Sequence, residues 1–573
     1  ERRRDAFVRM RTLFQSLAAQ RAQVDTLSMG MSSDYAEAIA EGAITQDGLL
    51  RFDPVGTVTL LHVTDIHAQL VPIFFREPSV NLGIGEAAGV APHVTGDAFL
   101  KKFGIRQGSA EAYAFSSVGY AGLAAEYGRV GGLDRMATLV KAIRAERPGK
   151  TLLLEGGDSL QGSYGALKTR GGDMAAALKA LGVEGCTFHW EFTYGTERVK
   201  ELIEELGCPF VAGNVLDTEW DEQAFKPYEM YERGGVKIAV VGQAFPYTPV
   251  ANPRYMNPTL SFGIREDLVR KHVEAARAEG AGLVVLLSHN GFDVDRKLAS
   301  RVAGIDVVLS GHTHDAVPAV VPVGRTLIVA SGSHGKFLSR LDLDVQGGEV
   351  KDYRFQLIPV FSDVIAPDPD MAAVVEGLRA PFTSEISRVV GRTDGLLYRR
   401  GNFNGTWDDL ICRALIEERD AEISLSPGFR WGATLLPGQD ITMDDIYNQT
   451  AITYPAAYRM QMSGAQIKDI LEDVADNLFN PDPYYQQGGD MVRVGGLGYA
   501  IDVSKPMGQR IGALTLLRTG QAIDASASYA VAGWASVNEG TEGPPVYDLV
   551  RRFIERRQVV NIPENETVKV SGF

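Results

Sequence analysis

The sequence predicts an α/β protein of more than one domain. Two observations carry that expectation. Short apolar runs alternate with amphipathic stretches of helical period, the pattern of a layered α/β architecture, and 573 residues exceed what one hydrophobic core organises. The opening residues stand apart. The sequence begins at Glu1, so a natural start further upstream is expected, and residues 1–55 read as a polar extension. Arg2-Arg3-Arg4 is similar to a twin-arginine export pattern. However, Arg9, Arg11, Gln15, Gln20, Arg21 and Gln23 interrupt the apolar stretch such a signal needs, which makes a polar amphipathic helix the expectation.

From Thr57 onward the strands follow one another. Thr57–Val63, Thr151–Glu155, Val236–Val241, Leu283–Leu287, Asp306–Leu309 and Thr326–Ala330 are apolar runs of strand length. Leu133–Glu146, Asp173–Leu181, Thr196–Leu206 and Arg265–Glu279 carry helical periodicity between them. Residues 71–128 break the rhythm with Gly, Ala, Pro and aromatics. A segment this long is expected to be an ordered insertion over the active face. The strand Val350–Pro359 then leads to Pro367-Asp368-Pro369-Asp370, where Asp368 or Asp370 caps a helix of about 370–388. The organisation expected is a first domain over 56–360, a linker helix within 361–390 and a smaller α/β domain over 391–573. That last part mixes helices (Trp407–Arg419, Gly464–Leu478) with short strands (Glu422–Leu425, Ser528–Ala532).

Composition narrows the function. With 57 basic and 72 acidic residues the net charge is -15, which argues against nucleic acid as a partner. An anionic substrate then needs a local positive site. No run approaches the roughly 18–20 apolar residues of a membrane span, so no membrane partner is expected. Cys186, Cys208 and Cys412 cannot make a disulfide framework, since at most one pair can close, and they read as small buried apolar residues.

The histidines are more informative. Of nine, several follow an apolar run directly, beside carboxylates or glycines. Thr64-Asp65-Ile66-His67, Gly156-Gly157-Asp158, Ser288-His289-Asn290 and Gly311-His312-Thr313-His314 each close a predicted strand. Sites in open α/β sheets form beyond the carboxyl ends of strands, so four clusters spread over about 250 residues can converge. Two divalent cations ~3.5–4 Å apart need an anion between them, and one carboxylate such as Asp158 offers an oxygen to each. Mixed nitrogen and oxygen ligands suit manganese, zinc or iron. His62 lies within a strand and reads as core. His93 and His272 are expected to face solvent. His334 is as readily a satisfied structural imidazole as a site residue.

These motifs resemble those of the calcineurin-like metallophosphoesterases. Gly131-Gly132-Leu133-Asp134-Arg135, Met462-Ser463-Gly464-Ala465-Gln466 and Val494-Gly495-Gly496-Leu497 extend the likeness to the 5'-nucleotidase family over roughly 56–560. That resemblance implies an α-β-β-α catalytic domain and a C-terminal substrate-binding domain that closes over it. It places Asp65, His67, Asp158 and His314 on one metal, and Asp158, His189, His289 and His312 on the other. It offers Arg430 as a substrate-anion contact, its planar donor fork suiting a tetrahedral anion. Asn214 is a second substrate-binding candidate.

The departures point further. His189-Trp190-Glu191 stands where the family has Asn-His followed by an acid, so an imidazole replaces a metal-binding amide and Trp190 replaces the catalytic histidine. Thr193 occupies the place of the aspartate that orients that histidine, and Val537–Gly543 lacks the ring that holds a nucleotide base. Thr187–Thr193 and Gly401-Asn402-Phe403-Asn404-Gly405 resemble the Sox-pathway thiosulfohydrolases. This implies a periplasmic dimanganese enzyme of bacterial thiosulfate oxidation. Its substrate would be a sulfonate borne through sulfur on a cysteine of the SoxYZ carrier protein, with Asp158, Arg430 and Trp190 at the reacting centre. Such a substrate needs a channel, with 71–128 and 479–490 (Phe479, Tyr484, Tyr485, Gln486, Gln487) as walls. Two other readings are a 5'-nucleotidase or cyclic-phosphodiesterase-type phosphohydrolase, and a non-catalytic binding protein on a retained metal scaffold.

Overall fold

Two β-sheets lie face to face in the first domain, with helices outside each, in a computed structural model that describes residues 44–573. The helix expected near the amino terminus and the arginine run lie outside those residues. One sheet runs in the order Glu349–Pro359, Phe337–Gln346, Val58–Val63, Thr151–Glu155, Gly185–Cys186. The other runs Val321–Val323, Thr326–Ala330, Val307–Ser310, Leu283–Ser288, Val236–Gln243, Tyr228–Arg233. The central strands pair in parallel: Val58–Val63 with Thr151–Glu155, and Leu283–Ser288 with both Val236–Gln243 and Val307–Ser310.

The alternation of side chains builds the layers. Val58, Leu60, Leu152 and Leu154 of the first sheet meet Ile238, Val240, Val285, Leu287 and Leu309 of the second in one buried layer. The opposite faces meet helices. Leu61, Val63 and Leu153 pack on Leu133–Glu146, Gly172–Leu181 and Thr196–Leu206, while Val284, Leu286 and Val308 pack on Glu266–Ala278 and Phe292–Arg301. Strands buried on both faces are apolar throughout, which is why their runs are legible in sequence.

Phe337–Gln346 is a strand that the apolar pattern does not reveal. Ser339, Arg340, Asp342 and Asp344 interrupt it, yet it pairs antiparallel with Val58–Val63. Arg340 is buried there against Glu146 at 2.7 Å and Asp342 at 3.2 Å. The insertion is ordered, with helices at Gly96–Phe103, Ala110–Phe115 and Tyr120–Tyr127 packed on Phe337, Leu357 and Phe361. It is tethered by fully buried Lys336, which donates to Glu77 at 2.8 Å and to the Phe75 carbonyl at 3.2 Å.

The helix after Pro367 spans Pro369–Arg379, and Asp368 accepts from the Met371 amide at 3.0 Å. It stops short of 388 because Pro381 cannot continue an α-helix; a 3-10 turn follows, then Thr383–Ile386. Its Met371 and Val375 belong to the core of the first domain, so the element is a docked helix rather than a free bridge. The second domain begins at the strand Val389–Thr393. It holds three sheets, one of them containing that strand, around the helices Thr406–Arg419 and Gly464–Phe479. Among the described residues no helix is long and apolar enough to cross a membrane.

Leu287 sits in the middle of the layer between the sheets, two residues before His289. Leu287→Ala is expected to cost about 2–5 kcal/mol of stability, read as a lower chemical-denaturation midpoint. An unchanged midpoint would contradict the burial described.

Candidate metal centre

Every cluster singled out in the sequence lies at the carboxyl end of a strand, and the sheets bring them to one place. The backbone there is bent: Asp65, His67, Ala68, Asp158, His312, His314 and His334 all have φ between +48° and +74°. Non-glycine residues rarely adopt this left-handed region, and a concentration of them marks a site where geometry overrides local preference. The motif glycines make room. A Cβ on Gly157 would stand 2.7 Å from His289 Nδ1, one on Gly311 2.5 Å from Thr64 Oγ1, and one on Gly488 1.9 Å from His312 Nε2.

Asp158 lies at the centre. Its Oδ2 is 3.0 Å from His189 Nδ1, 3.0 Å from His289 Nε2 and 3.9 Å from His67 Nε2. His67 Nε2 and His314 Nε2 are 3.0 Å apart, and His314 Nε2 is 3.2 Å from Asp65 Oδ1. Two groups emerge, Asp158–His189–His289–His312 and Asp65–His67–Asp158–His314. All are buried, with donor atoms within 4.8 Å of one another inside each group. Asp158 is common to both. Donors held about 2.0–2.2 Å from one ion stand roughly 3–3.5 Å from each other, so the arrangement fits a dimetal centre.

The electrostatics agree. Burial pushes the His312 and His314 imidazoles well below their usual range, leaving them neutral and able to ligate. Both His312 ring nitrogens, His67 Nδ1 and His314 Nδ1 are buried without a hydrogen-bond partner. Burial would also lower His289, but the attraction of Asp158 and Asp65 outweighs it and lifts His289 to about 10. The two carboxylates thus demand positive charge at this point. His289 Nδ1 faces the Gly156 carbonyl at 2.5 Å, which leaves Nε2 for an ion.

Surrounding groups hold these ligands. Asp65 accepts from Thr64 Oγ1 at 2.6 Å and from the His312 amide at 3.1 Å. Glu191 is fully buried, its pKa raised to about 7 by burial and by Asp158. It accepts from the backbone amides of His189, Leu160 and Asp158 at 2.8, 3.0 and 3.3 Å. The role of Glu191 in fixing both ligand loops was not read from sequence; a carboxylate within Trp190–Tyr194 next to a ligand was the available signal. Asp295, likewise unread, ties Ser288 at 2.7 Å to Ser310 at 2.6 Å behind His289.

A cavity of about 290 Å³ opens from the ligands toward the second domain. His67, Asp158, His189, Trp190, His312 and His314 face Phe429, Arg430, Trp431 and Gly488 across it. Trp190 donates its backbone amide to Asp158 Oδ1 at 2.7 Å, and its ring meets Phe429 and Trp431 edge-on. Phe429 and Trp431 stack on each other at 4.0 Å. Thr193 Oγ1 bonds Thr453 Oγ1 of the second domain at 2.6 Å. Arg430 is in the wall, but donates to the His312 carbonyl at 3.2 Å and to the Gly489 carbonyl. Arg400, absent from the sequence reading, donates to the Thr313 carbonyl at 2.9 Å.

Several expectations change. Asn214 does not line the cavity; its amide is engaged with the backbone, donating to Ala244 O at 2.7 Å and Gly263 O at 2.9 Å and accepting from the Ala244 amide at 2.9 Å. His93 does not face solvent; the insertion brings it to Asp293 at 2.7 Å. His272 is buried against Gly213 on the inner face of its helix. His334 is a satisfied imidazole, accepting from the Gly432 amide at 3.1 Å and meeting Ser333 Oγ at 2.8 Å. The stretch Gln487–Asp490 lines the main cavity. The insertion instead reaches a smaller neighbouring one through Asn81, Leu82, Pro92 and His93.

Comparison with known proteins adds a relationship to this geometry. Residues 389–549 match the family described as 5'-nucleotidase, C-terminal domain. The chain is 36% identical to the solved Thermus thermophilus sulfate thiohydrolase SoxB, with a TM-score of 0.87, over 91% of this chain and 98% of that one. The chain belongs to the SoxB family. More distantly, SoxB-family features here share their fold with a Thermus thermophilus 5'-nucleotidase precursor, at 21% identity and TM-score 0.71 over 90% of this chain and all of that one. The bovine 5'-nucleotidase is 24% identical over 435 residues, 68% of this chain and 73% of that protein.

Metal analysis of variants reads the shared carboxylate directly. Asp158→Ala is expected to lose both ions, while His314→Ala loses one of two. Equal losses in the two variants would contradict a shared ligand. Gly488→Ala forces a Cβ into His312 and is expected to lower metal occupancy without lowering the thermal midpoint comparably. Unchanged occupancy would contradict that contact.

Proposed function

We propose that this hydrolase cleaves the sulfur–sulfur bond of a cysteine S-thiosulfonate borne on a carrier protein, SoxYZ, and releases sulfate in the periplasm. Manganese is the proposed metal. The observation that carries the reading is a pair of candidate cation sites beside a cavity in which, among the described residues, no titratable side chain outside the ligands is free to donate a proton. Apart from ligands, the titratable residues in its wall are Tyr247, Tyr454, Asp490 and Arg430. Tyr247 donates to the Tyr484 carbonyl and Tyr454 to the Ala251 carbonyl, while Asp490 pairs with Arg493 at 2.9 Å. Burial pushes both tyrosines up. A sugar alkoxide leaving group needs a proton; a sulfur anion is far less basic and leaves without one.

Asp65, His67, Asp158 and His314 would hold one divalent ion and Asp158, His189, His289 and His312 the other, and such a pair would supply an acidified water and charge to offset that developing on sulfonate oxygens. The protein does the rest. Asp158 keeps the ligand sets together, and the Trp190 amide holds its free oxygen. Trp190, Phe429 and Trp431 exclude bulk water from the reacting centre. Arg430 offers its remaining donors to the anion at the cavity wall. Water adds to the sulfonate sulfur, the sulfur–sulfur electron pair passes to the carrier sulfur, sulfate leaves, and the two water protons pass to solvent. The resemblance to SoxB supports this substrate, and the open cavity suits an extended arm.

A phosphohydrolase is the second reading, favoured by the match of residues 389–549 to the 5'-nucleotidase C-terminal domain. Offering the manganese-loaded protein thiosulfonated carrier and nucleotides in parallel separates them. Sulfate release is expected, with carrier-bound substrate far ahead of free thiosulfate; phosphate release alone would favour the second reading. Trp190→His restores a titratable group and is expected to raise phosphomonoester hydrolysis by about 10²-fold. No gain would show that the missing donor does not set the preference.

A further inference from the structure

Of the three cysteines, Cys412 is alone in the second domain, its Sγ on the Arg493 carbonyl at 3.7 Å. The other two sulfurs lie 3.9 Å apart. Cys186 is fully buried and Cys208 partly exposed. Backbone pairing holds them there: the Cys186 amide donates to Pro209 O at 3.0 Å, and the Val211 amide donates to Cys186 O at 3.0 Å. The sulfurs therefore meet across two hydrogen-bonded segments.

The location matters for the metal centre. Cys186 ends a two-residue strand at the margin of the first sheet, held to Thr151–Glu155 by only Leu154↔Gly185 and Glu155↔Cys186. Three residues later comes His189. The segment 187–207 between the cysteines carries His189, Trp190, Glu191 and Thr193, then the helix Thr196–Leu206. The metal site thus leans on the thinnest pairing in that sheet.

We infer that Cys186 and Cys208 close to a disulfide that staples this margin and the segment carrying His189. The chemistry is thiol–disulfide exchange with a low-molecular-weight disulfide as oxidant. Cys208, the accessible thiol, attacks as thiolate, forms a mixed disulfide and releases one thiol. The Cys186 sulfur then attacks the Cys208 sulfur and releases the second. Two electrons pass to the oxidant, its disulfide becomes two thiols, and the protein thiol protons go with them. Rotation about the side-chain bonds brings the sulfurs from 3.9 Å to the roughly 2.05 Å of a bond.

The test uses the metal-loaded chain equilibrated with oxidised or reduced glutathione, then denatured, alkylated and weighed intact. The reduced sample is expected to take three alkyl groups and the oxidised sample one, with a Cys186–Cys208 peptide after proteolysis. Oxidation is expected to raise the thermal midpoint by about 5 °C, a rise that dithiothreitol reverses and Cys208→Ser abolishes. Three alkyl groups after oxidation, a lasting glutathione adduct on Cys208, a linkage to Cys412, or closure with no thermal shift would each overturn the inference.

Discussion

Two cations in one buried pocket repel unless an anion stands between them, and the rest of this site follows from that requirement. Asp158, common to both ligand groups, would supply it. To place it, the chain turns into the left-handed region directly after Gly156-Gly157, and the strand Thr151–Glu155 lies central enough for ligands from both sheets to reach it. Asp65 and His67 arrive from the neighbouring strand of the same sheet, His289, His312 and His314 from the facing sheet, and His189 from the margin. Glu191 and Asp295 carry no metal position of their own. They tie ligand loops together through backbone amides and serine hydroxyls, so the strained turns are held from behind.

The second domain is built into this arrangement. Arg400 and Arg430 grip the carbonyls of Thr313 and His312, Gly488 lies against the His312 ring, and Thr453 bonds Thr193. Gly432 donates to His334, whose own amide donates to the Asp65 carbonyl at 2.8 Å. Trp190 and Thr193 both serve contact with the second domain, through Phe429 and Trp431 and through Thr453.

Much of this was legible in the sequence because the relevant strands are buried on both faces. Thr151–Glu155 and Thr326–Ala330 appear as runs of apolar residues with the observed ends. Most ligands were legible because they close such a run beside a carboxylate or a glycine, whereas His189 follows none of those runs and was reached only through the family resemblance. What escaped shares a different physics. Phe337–Gln346 hides behind buried charges that only a tertiary partner satisfies. Arg400 and Glu191 act through backbone groups, and Asp295 through serine hydroxyls, that the fold brings together, and no spacing announces that. Asn214 misled for the opposite reason: it follows a strand, but its amide closes a loop with Ala244 and Gly263. His93 and His272 looked exposed because the segments that cover them could not be placed beforehand.

The central claim is that one carboxylate oxygen joins two ion sites. Electron paramagnetic resonance of the chain loaded with two equivalents of manganese tests it most directly. A shared Asp158 oxygen predicts an exchange-coupled pair with hyperfine spacing about half that of a single ion, and its disappearance in Asp158→Asn. The six-line spectrum of isolated ions in the parent chain at full occupancy would contradict the account.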